Sequence, residues 1–289
     1  MALPFLSKEK NPILARIRSD ESTRLRLKYD IYYHTFDGQT GTRVQREGRE
    51  YVMLSSNDYL GLNRHPKVLE AGRNALEEWG SSTTGARLAN GGRSFHVELE
   101  EELAEFLGKE ACHVYTAGYL ACSSAVEGFA ERNDLIFADK NLHSSLWSGI
   151  HLSGARCERF SHNNPEHFAQ IIADEPEEVA KILVLEGVYS MEGHVAKLPG
   201  FVEVAKNYNA FVVLDEAHSF GIEAFAINSH LITSITPFFF FGCVKAPLSF
   251  THGAFSYWCG PNIPCYNNFT KGQFIFGEAT ITAFIRITQ

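Results

Sequence analysis

The chain has 289 residues, 45% of them hydrophobic, with 26 basic against 34 acidic side chains and a formal net charge of −8. That acidic balance argues against bulk binding to nucleic acid or to an anionic membrane, both of which want a basic face. No window supplies the roughly 18 uninterrupted apolar residues of a membrane span, and the opening MALPFLSKEKNP lacks the pattern of a signal peptide, so a cytoplasmic protein with no membrane span is expected.

Residues 1–50 read as an N-terminal arm, set apart from a large domain over 51–289. In the arm, 19–28 is a charged helical stretch and 36–50 is polar, rich in Gly, Thr and Arg. From Tyr51 short apolar runs alternate with amphipathic helices. Pro66 suits a first helical position, and Val68, Ala71, Ala75 and Trp79 recur at helical spacing as far as Gly80. Leu99, Leu103, Phe106 and Leu107 predict a second helix, with Gly108 as its stop.

Strands are predicted at ACHVY (111–115), LIFA (135–138), ILVLEG (182–187) and FVVLD (211–215), with helices around 119–131, 143–152, 165–173 and 199–208. Strands that are apolar throughout and separated by helices imply an α/β fold, its sheet mostly parallel and covered on both faces. In such sheets ligands bind at the carboxyl ends of the strands, so the residues that follow each strand matter most. After Ile222 the pattern degrades. TPFFFFG could be another buried strand, and no clean periodicity follows His252. The six cysteines (Cys112, Cys122, Cys157, Cys243, Cys259, Cys265) include no CxxC pair and are expected to be buried thiols, with no metal site.

Several chemistries leave no trace: there is no GxxxxGKS/T phosphate loop, no GxGxxG, no GxSxG and no HExxH. Asp215-Glu216-Ala217-His218 spells a helicase box, which means little without a phosphate loop. It follows FVVL, so Asp215 ends a strand, where it can meet a ligand or simply cap a turn. After ACHVY, Thr116-Ala117-Gly118-Tyr119 turns into a helix whose first amides suit a phosphate, with an aromatic ring beside them. After LIFA comes His143 near a helix start, a common place for a structural histidine. After ILVLEG comes Ser190, which can reach a ligand or close a turn. Together the four strand ends describe a pocket for a flat phosphorylated cofactor.

The segments SSNDYLGL (55–62), HVELEEELAEFLG (96–108), LHSSL (142–146), LEGVYSMEG (185–193) and DEAHSFG (215–221) resemble the α-oxoamine synthases. These are fold-type I enzymes that use pyridoxal 5′-phosphate (PLP). The resemblance runs from about Tyr51 to Ile222. It implies that Asp215 pairs with the pyridine nitrogen and keeps the ring an electron sink. It also implies that His143 stacks on the ring, that His218 and Ser190 lie along the edge of its hydroxyl, and that Gly118 and Tyr119 border the phosphate. Asn57 and Tyr59 match positions lining the amino-acid pocket. Lys245, in FGCVK ahead of Thr251-His252-Gly253-Ala254-Phe255, is the candidate for the lysine that binds the cofactor. Lys271 lacks that glycine-containing sequel, and Gln273–Phe276 resembles a later family segment that supports the register. His143, Asp215 and Lys245 are thus the implied catalytic set.

The implied reaction condenses glycine, alanine or serine with an acyl-CoA, usually with loss of carbon dioxide, to give an α-aminoketone and CoA. A homodimer is implied as well. The sequence departs from the family where Gly242 replaces a phosphate-binding threonine, where Val244 replaces a serine, and where EAFAINSH replaces a glycine-rich loop. The family's chains also continue into a small C-terminal domain that is expected to be largely missing here, and Arg286 has no motif to make it the substrate-binding arginine. The alternative expectation is therefore a catalytically impaired member, either a partner subunit or a truncated product.

Overall fold

The computed structural model describes residues 11–27, 34–107, 109, 111–220 and 222, and the backbone of three later strands at 238–244, 253–259 and 280–281. Packing divides the chain into two units, Met1–Ser56 and Asn57–Gln289. In the first, helix α1 runs Pro12–Leu27 and begins ahead of the charged stretch at 19–28. Asn11 starts it: its side-chain oxygen accepts the Ile13 amide at 2.9 Å, and Pro12 stands where a missing N–H costs nothing.

The polar segment at 36–50 is an antiparallel meander of β1 (Gly38–Thr40), β2 (Arg43–Arg46) and β3 (Arg49–Val52). Glu47 and Gly48, with φ of 53° and 73°, form the left-handed pair that a two-residue hairpin turn requires. Strands this short and polar carry no apolar alternation, so composition alone hides them.

The second unit opens with α2 (Pro66–Trp79) and α3 (Ser94–Leu107); Gly108, the predicted stop of α3, lies outside the described residues. Strands and helices then alternate: β4 (Ala111–Tyr115), α4 (Gly118–Phe129), β5 (Leu135–Asp139), α5 (Ser144–Ser153), β6 (Arg156–Phe160), α6 (Pro165–Ala173), β7 (Lys181–Glu186), α7 (Leu198–Asn207) and β8 (Phe211–Asp215). β9 (Phe238–Val244), β10 (Gly253–Cys259) and β11 (Thr280–Ile281) complete a sheet of order β11-β4-β10-β9-β8-β7-β5-β6. From β6 through β9 every pairing is parallel, whereas β10 runs antiparallel to both β9 and β4. The expected α/β architecture is observed, and TPFFFFG does supply a strand.

β5 and β7 are buried at every residue, which requires cover on both faces of the sheet. Phe137 of β5 meets Phe168 of α6 at 5.4 Å between ring centroids, and Phe160 lies 5.3 Å from Phe201 of α7. Burying an aromatic of this kind stabilises by about 1.5–3 kcal/mol. Gly149 of α5 lies against the Ser123 carbonyl of α4 so closely that a Cβ would collide with it. That contact seats α5, and with it the loop before it. β6, RCERF, is the strand the sequence hid: it lies at the sheet edge and is largely exposed. At the far end of β7 the buried Lys181 donates Nζ to the carbonyls of Pro176 (2.6 Å), Val179 (3.0 Å) and Glu177 (3.3 Å).

The expectation of buried thiols holds for Cys122, while Cys112 and Cys157 are only partly covered; none of the three is in a disulfide, and the side chains of Cys243, Cys259 and Cys265 lie outside the described residues. Burial nonetheless pushes the Cys157 thiol up to about 11. Among the described residues no helix is long and apolar enough to cross a membrane.

Candidate functional site

β4, β5, β7 and β8 all deliver their carboxyl ends to one side of the sheet, and the predicted site residues gather there. Asp215 closes β8 and is 5% exposed. Its Oδ1 accepts the Ala217 amide at 2.9 Å, and its Oδ2 accepts the Cys122 thiol of α4 at 3.4 Å. A thiol is a weak donor, so one oxygen keeps most of its capacity as an acceptor.

Beside it, Glu186 closes β7 in register with Asp215. Burial and the Asp215 charge push its carboxyl up to about 8, against the pull of two backbone amides, those of His143 and Ser190. Glu216 is buried as well, and its carboxyl is held well above its ordinary range, chiefly by desolvation.

His143 caps α5. Its Nδ1 accepts the Ser145 amide at 3.3 Å and lies 2.7 Å from the Ser145 hydroxyl, so the neutral ring carries its proton on Nε2. The ring is exposed, with the edge of Tyr119 6.3 Å away at 74°. Tyr119 is fixed from the other end, its hydroxyl 2.6 Å from Ser148 Oγ. Gly118 is the first residue of α4, and no side chain caps that helix start. The sequence TAGY offers only an alanine at the cap, so the first-turn amides are left for another acceptor.

His218 follows Asp215 by one turn, and its Nδ1 lies 2.6 Å from the Tyr59 hydroxyl, which in turn donates to Asn57 Oδ1 at 3.4 Å. With His218 Nδ1–H donating to Tyr59, the Tyr59 hydroxyl can donate in turn to Asn57, and the three side chains form one chain of hydrogen bonds. Ser190 is exposed on the loop after β7. Asn57, Tyr59, Gly118, Tyr119, His143, Ser190, Asp215 and His218 therefore belong to one connected region.

Lys245 lies outside the described residues, as do Lys271, Thr251, His252, Gln273–Phe276 and Arg286. β9 ends at Val244, the residue before Lys245, and pairs with β8 so that Phe241 is in register with Asp215.

Two further polar clusters escaped the sequence. Asp139, fully buried at the end of β5, accepts the amides of Asn141 (2.9 Å) and Asn163 (2.7 Å), the Tyr189 hydroxyl (3.0 Å) and His162 Nδ1 (2.9 Å). His162 Nε2 continues to His194 Nδ1 at 3.0 Å. Beneath β4, Arg87 pairs with Glu100 at 2.7 Å and His113 stands 3.2 Å from the same oxygen. Burial alone would raise the Glu100 carboxyl, but these two partners hold it down at about 2. Among the described residues no group of three or more His, Cys, Asp or Glu side chains could hold a metal ion.

Residues 49–234 match the model of the aminotransferase class I and II family, well over half of the chain, and the chain belongs to that family. Its relatives within that family are α-oxoamine synthases. It is 38% identical over 188 residues to 8-amino-7-oxononanoate synthase of Geobacter sulfurreducens, which covers 65% of this chain and 48% of that one. Serine palmitoyltransferase of Sphingomonas wittichii superposes with a TM-score of 0.79 at 30% identity, over 88% of this chain and 65% of that chain. A high-resolution structure titled SPT with a PLP internal aldimine matches with the same TM-score and identity, over 87% and 65%. The chain spans about half the length of the curated relatives it matches.

Proposed function

We propose that this protein is a PLP-dependent acyltransferase that condenses glycine, alanine or serine with an acyl-CoA to give an α-aminoketone, CoA and carbon dioxide. The observation that carries the reading is the set of strand ends: a buried carboxylate with a spare oxygen, an exposed imidazole, an uncapped helix start and a histidine–tyrosine pair, all on one side of the sheet. The donor set fits PLP. Asp215 would hold the pyridine nitrogen, and the His143 ring would cover one face. His218 and Ser190 would meet the ring's hydroxyl edge, and the α4 start at Gly118 and Tyr119 would take the phosphate. Lys245 is the amine proposed to bind the cofactor covalently.

When bound, PLP supplies an electron sink for charge developing at the amino acid's α-carbon. The chain's own residues do the rest. Asp215, held by Ala217 and Cys122, would present its spare oxygen to the ring nitrogen without having to reorganise. His218 would face the ring edge, held there by Tyr59 and Asn57, which would line the wall on which an amino acid sits. Lys245 is proposed to take the α-proton, a role that needs its amine neutral. A homodimer in the cytoplasm goes with this reading.

The test is a visible absorbance spectrum of the protein with added PLP. A band that vanishes in Lys245→Ala supports the reading, and a colourless wild-type protein sinks it. Release of CoA from pairs of glycine, alanine or serine with short and long acyl-CoAs then identifies the substrates. Gly242 and Val244, standing where the family's motif has threonine and serine, favour a second reading as an impaired partner subunit. A protein that binds PLP but releases no CoA from any pair would support it.

A further inference from the structure

Glu186 is 3% exposed, ends β7, and faces Asp215 across the β7–β8 ladder. Its Oε1 accepts the backbone N–H of His143 at 2.5 Å, and the backbone N–H of Ser190 also bonds to the carboxyl. One buried side chain thus grips two loops, that after β5 and that after β7. Between the same loops, Asp139 at the end of β5 also accepts the Asn141 amide and the Tyr189 hydroxyl, and Asn141 Nδ2 meets Glu192 Oε1 at 2.8 Å in solvent, where such a bond adds little; among these side chains only Glu186 reaches the His143 and Ser190 amides.

We propose that Glu186 is a positioning residue, tying the His143 and Ser190 loops to the strand pair that presents Asp215. Glu186 meets the loops through their backbone and touches neither the imidazole nor the hydroxyl. Its effect on any ring between them is therefore indirect. That consequence rests on the PLP reading above, whereas the tie itself belongs to the protein alone.

The charge of the tie is adjustable. The titratable groups facing Glu186 are Asp215 from β8 and Asp139 from β5, whose charges disfavour a second negative charge, and Tyr189 from the loop after β7, whose phenol is held neutral by burial. Burial, with Asp215 beside it, holds the carboxyl at about 8, so it is neutral below that pH and charged above it. A carboxylate is the stronger acceptor for both amides. The grip therefore tightens as pH rises through that value.

Hydrogen exchange of the full-length protein without cofactor tests this directly. In Glu186→Leu, which keeps the volume but has no acceptor, the His143 and Ser190 amides should exchange about tenfold faster than in wild type, while those of β5 and α6 hold their rates. In Glu186→Gln, one retained oxygen should keep the His143 amide protected. Protection in wild type, corrected for intrinsic exchange, should rise between pH 7 and 9, and the glutamine variant should stay flat. Unchanged rates at both amides in the leucine variant would overturn the proposal. So would a pH rise that the glutamine variant shares, even if the leucine variant unfolds globally. PLP affinity by equilibrium dialysis separates the two levels: wild type that takes up no PLP sinks the pocket reading and leaves the exchange result standing. If wild type does bind, the leucine variant should bind about tenfold more weakly, and equal affinity would show that the tie does not position the ring.

Discussion

Asp139 and Asp215 both end buried parallel strands of one sheet, both are nearly inaccessible to solvent, and both follow a run of apolar residues. Asp139 accepts four hydrogen bonds, two on each oxygen, from two amides, an imidazole and a phenol. Among the described residues Asp215 accepts one amide and one thiol. A saturated carboxylate holds loops together and has nothing left for a ligand, whereas one with spare lone pairs can pay its desolvation cost through a cationic partner. The difference comes from what the following loops return to each oxygen, and it divides a carboxylate spent on its own loops from one with capacity to spare.

That division can be attacked by measuring unfolding free energies. Asp139→Ala strands four donors at once and should cost about 3–5 kcal/mol in urea denaturation; a loss below 1 kcal/mol would erase the contrast. Glu100→Gln should cost about 3 kcal/mol at pH 7, because the wild-type carboxyl sits at about 2 when folded against an ordinary 4.5. A depressed acid stabilises above its unfolded pKa, so this cost should fade as the pH drops from 4.5 towards 2.

Glu186→Gln has the opposite sign. Its folded pKa of about 8 exceeds the ordinary 4.5, so wild type loses stability as pH rises between the two. The variant should gain relative to wild type across that window, at a slope of at most about 1.4 kcal/mol per pH unit, and the difference should level off above pH 8. Asp215→Asn should move stability least, by less than about 1 kcal/mol, while lowering PLP affinity at least about tenfold. A large stability loss without an affinity change would make Asp215 a second Asp139.

The strands that build this end of the sheet were legible because burial on both faces leaves an unbroken apolar run, as in LIFA and FVVL. Asp215, His143 and Tyr119 followed from the rule that strand ends face ligands. β6 was not legible, since an edge strand reading Arg156-Cys157-Glu158-Arg159-Phe160 obeys water rather than the core. Glu186 was read as the tail of a strand, since its role depends on register with Asp215 and on amides supplied by His143 and Ser190. Tyr59 and His218, 159 positions apart, meet only through the fold. Nor does local sequence separate Asp139 from Asp215: each is an aspartate after an apolar strand.

Lys181 gives the covalent chemistry a clean background. Its ammonium is spent on three carbonyls at the opposite end of β7 and sheltered from solvent. Borohydride reduction in the presence of an aldehyde should therefore leave this side chain unmodified, so a tryptic map of the reduced protein can be read without a decoy from the middle of the sheet.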